Sequence, residues 1–411
     1  MIKASARVDL TGIAAGGDAV GRTDGMVVFV PRGAPGDVAQ VTLTPARRFA
    51  RGRLTSIEVP SPDRVDPPCP HYTIDQCGGC QVQHLSYDAQ LRAKSSIIVD
   101  AIRRIGRREL APVEVVPSEA QWRYRRKLTL HLRRAGASWI AGLHPFDDPV
   151  SVFDLADCPI TDERVMAVWS QLRGAFDYLP NERALRVAVR LVPGGAAVVV
   201  EGGAAWAQAD RFFDAVPTML ELWWKPEHGR MRRLAMRTAE SQGGASFVQV
   251  NAKVAAQLQQ HVLDRVNAYA PRTMVDAYAG AGAVTLAMAA RQVNVTSIEL
   301  DAEAVARFAD HLRPPSRAIV GRVEDHIASA LPADVVLLNP PRAGVDAAVT
   351  HILERAKRPP RGVIYVSCDP ATLARDLSRL PRYRLAGVRA YDMFPQTAHV
   401  ETVCELVPGT E

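Results

Sequence analysis

The first 58 positions carry short apolar-rich runs broken by turn residues. Ala6 to Leu10, Met26 to Val30, Asp37 to Leu43 and Ala50 to Ile57 are separated by Gly16-Gly17, Asp24-Gly25 and Gly33-Ala34-Pro35-Gly36. Short strands punctuated at this spacing predict a small β-barrel. Pro60, Pro62, Pro67 and Pro68 then predict a stiff linker. Positions 88 to 105 read as a helix. From about 113 to 235 the pattern mostly alternates, as in Lys127-Leu128-Thr129-Leu130-His131-Leu132 and Leu185 to Leu191. Period-two alternation predicts a β-rich middle region. From about 236 to 411, apolar strands alternate with helical segments, the order of a doubly wound α/β sheet.

Composition narrows the class. The 411 residues are 47% hydrophobic, which suits a globular chain of two or three domains. No apolar run is long enough for a membrane span, and the first residues lack a signal-peptide core, so the cytoplasm is the expected location. The net charge is +6, and arginines cluster at 47–53, 103–108, 123–134 and 230–233. Trp122, Tyr124 and Trp139 are interleaved in or beside one cluster. Solvated surface accounts for any single cluster; the set together points to a nucleic-acid partner. Of the six cysteines, Cys69, Cys77 and Cys80 lie within twelve residues, which suggests a metal or cluster site rather than disulfides.

The last third holds the candidate chemistry. Thr273 to Tyr278 reads as a strand running into Ala279-Gly280-Ala281-Gly282-Ala283 and a helix. Gly280 and Gly282 allow a tight turn and close approach to a ligand. Thr285 stands where a pyrophosphate-binding loop carries its third glycine, which favours a ligand without phosphate. Glu299 ends the next strand and is either a ribose acceptor or a solvated strand end. Asn339-Pro340-Pro341-Arg342 ends another buried strand. Cys368 lies between the strand Gly362 to Val366 and a helix from Ala371 to Leu380. At that helix N-terminus a thiolate is favoured, which makes Cys368 a nucleophile; the alternative is a small buried apolar residue. Glu401, before the last apolar strand, is a candidate base.

Together these residues resemble the RNA (uracil-5-)-methyltransferases. The matching segments are Phe247-Val248-Gln249-Val250-Asn251, Asp276 to Gly282, Asn339 to Gly344, Ser367 to Leu377 and Asp392 to Glu401, in the family's order. The resemblance implies a Rossmann-like S-adenosylmethionine-dependent methyltransferase domain. It implies an N-terminal OB-like RNA-binding barrel (TRAM) over 1–58. A central domain would be formed by 59–87 with 114–235, and the catalytic domain by 88–113 with 236–411. Carried over by motif, Cys368 is the nucleophile and Glu401 the base. Gln249, Tyr278, Gly280, Gly282, Glu299 and Asn339 contact S-adenosyl-L-methionine. Cys69, Cys77, Cys80 and Cys158 hold a [4Fe–4S] cluster, with zinc plus His71 or His84 as the alternative. Two departures stand out: Asn339 replaces the family's usual Asp, and seven residues separate Cys69 from Cys77 where five are common.

The implied reaction is methyl transfer to C5 of an RNA uridine through a covalent adduct. Ribosomal RNA is the favoured partner over the tRNA T-loop, and the protein is expected to act as a monomer. Two rivals lie further off. An amino-methyltransferase would share Asn-Pro-Pro but needs an aromatic residue where Arg342 stands. A non-catalytic RNA-binding protein would have no use for Cys368 and Glu401 together.

Overall fold

The computed structural model describes residues 5–238 and 249–409. Its first five strands are β1 (Ser5–Ile13), β2 (Ala19–Thr23), β3 (Met26–Val30), β4 (Val38–Pro45) and β5 (Phe49–Val59). They close into a barrel in the order β1-β2-β3-β5-β4 around Val8, Leu10, Val28, Val30 and Val41. The sequence pattern predicts four of these strands and misses β2. Gly21 interrupts its apolar run, and a side chain there would meet Val8 Cγ1 at 2.4 Å. The proline segment after β5 is tied down by Asp37, whose buried carboxylate accepts Ser61 N and pairs with Arg64. That ion pair and two backbone donors hold the Asp37 carboxyl below the usual carboxylate range, against burial, the largest single effect.

Next come α1 (Pro70–Thr73) and α2 (Tyr87–Arg104), then β6 (Val115–Val116), β7 (Lys127–Ala135), β8 (Ser138–Leu143), β9 (Phe153–Asp154) and α3 (Glu163–Gly174). They are followed by β10 (Ala184–Val192), β11 (Gly195–Glu201), α4 (Ala209–Asp214), β12 (Met219–Lys225) and β13 (Arg232–Met236). β7 to β13 form one sheet in the order β13-β12-β11-β10-β7-β8-β9. Leu128, Leu130 and Leu132 of β7 face a core shared with α3 and α4, including Trp169 and Phe212. The alternate residues Lys127, Thr129, His131 and Arg133 line the other face. The two helices interrupt a region whose alternation predicts strands.

The C-terminal half contains α5 (Ala252–Asn267), β14 (Thr273–Ala277), α6 (Ala283–Ala289), β15 (Asn294–Glu299), α7 (Ala302–Ala309), β16 (Arg317–Val320) and α8 (Val323–Ala330). It continues with β17 (Val335–Leu338), α9 (Ala347–Glu354), β18 (Gly362–Ser367), α10 (Pro370–Ser378), β19 (Tyr383–Tyr391) and β20 (Glu401–Pro408). The sheet order is β16-β15-β14-β17-β18-β20-β19-β6. Five strands are parallel, and β20 runs antiparallel to β18. β17 and β18 are buried at every position because helices cover both faces, as parallel strands require. α2, α8, α9 and α10 pack on one face; α5 and α6 pack on the other. β6 joins this sheet beside β19 rather than the middle one.

Helix α2 bridges the barrel and the catalytic sheet. Ala89 and Ile97 enter the barrel core, while Ile98 and Ile102 enter the sheet core. Ser86 caps its first turn.

Candidate active site

The strand order places the candidate residues along one edge. Glu299, Tyr278, Asn339 and Cys368 stand at or just past the C-terminal ends of β15, β14, β17 and β18, which are consecutive neighbours. β20 runs the other way, so its first residue, Glu401, starts at the same edge. Ser367 pairs with Thr402 in the antiparallel ladder, and one further step sets Cys368 opposite Glu401.

Around the cofactor loop, Tyr278 and Ala279 both donate to Ile298 O, at 2.9 and 3.1 Å. Tyr278, Gly280 and Gly282 all have positive φ. Gly282 can carry no side chain: a Cβ would lie 2.4 Å from the Phe308 ring. Glu299 accepts Gly280 N on one oxygen and Asp301 N on the other, each at 2.8 Å. One bond per oxygen leaves lone pairs for two ribose hydroxyls. Thr285 explains the absent third glycine. Its hydroxyl donates at 2.6 Å to Asp276, which is buried. Burial pushes the Asp276 carboxyl up to about 6, and the Thr285 bonds oppose that rise. Gln249 is half-buried just before α5, where Asn251 caps the helix and also donates to Ser118 Oγ. Phe247 and Val248 lie outside the described residues.

Cys368 is half-buried and Glu401 is 5% exposed. The structure corrects the electrostatic expectation for the thiol. Asp369 accepts Ala371 N and Thr372 N at 2.9 Å each, so its carboxylate occupies the α10 terminus. Burial pushes the Cys368 thiol above its ordinary range, Glu401 adds to the rise, and Arg342 opposes it. Burial likewise lifts Glu401 to about 7, again against Arg342. Arg342 is exposed and is the one cation acting on both groups in this way among the described residues. Its sequence context, Asn339-Pro340-Pro341-Arg342, carries no sign of that role.

Two further arrangements escape sequence reasoning. Asp376 accepts Tyr365 Oη at 2.8 Å and Val345 N at 3.0 Å, while Arg375 donates to Ala343 O. This ties the Asn339–Gly344 loop to the helix behind Cys368. On α2, buried Lys94 pairs with buried Asp392 and donates to Phe394 O at 3.0 Å. The signal was present: Gln90 and Lys94 occupy the same i, i+4 stripe as Ile98 and Ile102.

Cys69, Cys77, Cys80 and Cys158 line one cavity of about 120 Å³ with His71 and Asp157. Burial raises the thiols of Cys77 (to about 11), Cys80 and Cys158. Among the described residues no three or more Cys, His, Asp or Glu side chains stand close enough to share a single metal ion. His84 is no ligand in this arrangement: Tyr72 Oη meets Nδ1 at 2.6 Å, and Nε2 meets Gly33 O at 2.9 Å.

The fold and its edge define a Rossmann-like methyltransferase with an added RNA-binding barrel. A tRNA (uracil-5-)-methyltransferase family model matches residues 316–407, and a TRAM domain model matches 4–55. An uncharacterized RNA methyltransferase of Protochlamydia amoebophila is 31% identical, over 97% of this chain and 96% of its own. A relative in Gloeobacter violaceus, with the same description, is 33% identical over 97% and 95%. The chain therefore belongs to the TRAM-bearing RNA methyltransferases of the uracil-5 type and is an S-adenosylmethionine-dependent enzyme. Among solved structures, the Pyrococcus abyssi tRNA (uracil-54, C5)-methyltransferase with S-adenosyl-L-homocysteine shares the fold. Its TM-score is 0.73 at 23% identity, covering 98% of this chain and 99% of that one. No described helix is long and apolar enough to cross a membrane.

Proposed function

We propose that this enzyme methylates C5 of a uridine in ribosomal RNA through a covalent adduct between Cys368 and C6 of the base. The observation that carries the reading is that Cys368 and Glu401 stand one step beyond the Ser367–Thr402 pair of the β18–β20 ladder, at the same sheet edge as the Gly280–Gly282 turn. S-adenosylmethionine, when bound, supplies a methyl group on a sulfonium. Gly280, Gly282, Glu299, Tyr278, Asn339 and Gln249 would hold it. Asn339 does so without a charge.

The residues act in sequence. The Cys368 thiolate forms a bond to C6, and the C5–C6 π electrons move toward O4 as an enolate. C5, made nucleophilic by that addition, would then accept the methyl group that a bound S-adenosylmethionine supplies, its sulfur keeping the bonding pair. Glu401 removes the C5 proton; that electron pair restores the C5–C6 double bond, and the Cys368–C6 bond breaks. Arg342 favours the ionised forms of both Cys368 and Glu401. The uridine must leave its stack to reach Cys368, at a cost of a few kcal/mol. Lys127, His131, Arg133 and Arg186 share one face of the middle sheet and suit the RNA backbone that would offset this cost.

For the four cysteines we propose a [4Fe–4S] cluster. What supports it is the donor set: four thiols lining one cavity. Cys69, Cys77, Cys80 and Cys158 would each give one thiolate to such a cluster. Its binding would displace the protons that burial favours on Cys77 and Cys80. The domain boundaries stay part of this proposal, with β6 assigned to the catalytic sheet. The fold neighbour's tRNA substrate favours the T-loop uridine as the second reading. Mapping 5-methyluridine in ribosomal and transfer RNA from a deletion strain separates the two. Unchanged 5-methyluridine in both RNAs refutes both.

A further inference from the structure

The segment between β19 and β20 carries Glu401 into the site, yet most of its polar anchors come from outside the catalytic sheet. Gln396, 2% exposed and in the left-handed region at φ 70°, is held at every polar backbone group. Its N–H donates to Gln90 Oε1 at 2.9 Å. Its carbonyl accepts Gln81 N and Val82 N, each at 3.2 Å. Its side-chain Oε1 accepts Gln90 Nε2 at 2.9 Å, so the Gln90 amide holds both the backbone and the side chain of Gln396. On either side, Pro395 O accepts Tyr124 Oη at 3.0 Å, and Ala398 N donates to Gln81 Oε1 at 3.4 Å.

A non-glycine residue at positive φ costs of order 1–3 kcal/mol and persists only when its surroundings over-determine it. Gln81 and Gln90 supply much of that determination. Gln81 follows Cys80 directly, and Gln90 lies on α2, so the thiol cavity and the base-bearing segment are joined through one residue.

We infer that Gln81 and Gln90 are positioning residues for proton abstraction: by gripping Gln396 and Ala398 they set where Glu401 stands over the methylated base. The inference rests on Glu401 being the base. It separates the two halves of the reaction, because Cys368 is placed by β18 and Asp369, which the grip does not touch. Adduct formation should survive loosening of the grip, and adduct resolution should not.

The test uses the full-length enzyme with S-adenosylmethionine and unmodified transcripts of the host's large-subunit ribosomal RNA and tRNAs. Denaturing gels follow the protein–RNA adduct over time, and nucleoside mass spectrometry follows the product. Gln90→Ala should form adduct within about threefold of the wild-type rate. Its resolution should slow about 10–100-fold, the usual cost of a misplaced reacting group. Gln81→Ala loses the weaker 3.4 Å contact and should show a smaller slowing of the same step. Hydrogen exchange should quicken in residues 393–400 of both variants and nowhere else in the C-terminal sheet. Equal losses in adduct formation and resolution, or no change in resolution, overturn the inference. Glu401→Gln is the reference: should it release product at the wild-type rate, the base assignment itself fails. If it traps adduct while both glutamine variants resolve normally, only the grip fails.

Discussion

Burial of Glu401 sets a pH dependence that an ordinary carboxylate could not show. Its pKa rises from 4.5 to about 7 because burial withholds water, and Arg342 only partly compensates. That rise corresponds to roughly 3 kcal/mol against the ionised form. At pH 5.5 only about one enzyme in thirty would then carry the ionised base. Resolution of the RNA adduct should therefore slow about tenfold per pH unit below 7. An unperturbed glutamate would keep the rate flat to about pH 5. Adduct formation also weakens on acidification, because the Cys368 thiol titrates above its ordinary range, so the two steps must be timed separately. Unfolding does not mimic the effect through this group. With its folded pKa raised, Glu401 contributes stability that is fully present below 4.5 and lost as pH climbs through about 7. Acidification through that window thus favours the folded state at this position. Single-turnover gels between pH 5.5 and 8 give the rate of adduct loss directly. A rate that stays constant from 5.5 to 7.5 would refute either the burial argument or the role of Glu401.

Other outcomes follow from named contacts. Cys368→Ala should form no adduct and no 5-methyluridine; turnover in that variant would remove the nucleophile. Lys94→Met leaves the buried Asp392 carboxylate without its cation, and should cost about 3–5 kcal/mol in denaturant unfolding. A cost below about 1 kcal/mol would mean the pair is solvated in practice. Gly282→Ala drives a methyl group into the Phe308 ring and strains a left-handed residue, so calorimetry should show S-adenosylmethionine binding weakened about tenfold or more. Iron and sulfide analysis with a visible spectrum tests the cysteine cavity: about four irons per chain support the cubane, and stoichiometric zinc rejects it.

Much of this site is legible in one dimension because its chemistry sits at strand ends. A strand that stops at Tyr278, Glu299, Asn339 or Cys368 announces an edge, since parallel strands read as unbroken apolar runs. The barrel is legible because turn residues punctuate its short strands, except where Gly21 breaks the run of β2. Electrostatics were not legible. Helix position alone suggests an activated Cys368, yet Asp369 takes the helix amides and burial raises the thiol. Nor could the spacing from Cys69 to Cys77 say whether the longer loop still reaches the other thiols. The structure brings all four to one cavity.

Local order along the chain was enough to specify the class of fold, the glycine turn, and the strand ends at which the candidate residues stand. These properties depend on neighbours a few positions apart and on the period of the apolar pattern. Which groups face one another depended on strand order and on contacts across hundreds of residues. Cys368 meets Glu401 because β20 inserts antiparallel beside β18, and Gln90 meets Gln396 because α2 crosses back over the catalytic sheet. Charge states follow those encounters, since solvent exclusion is a property of the packed molecule and not of any segment within it.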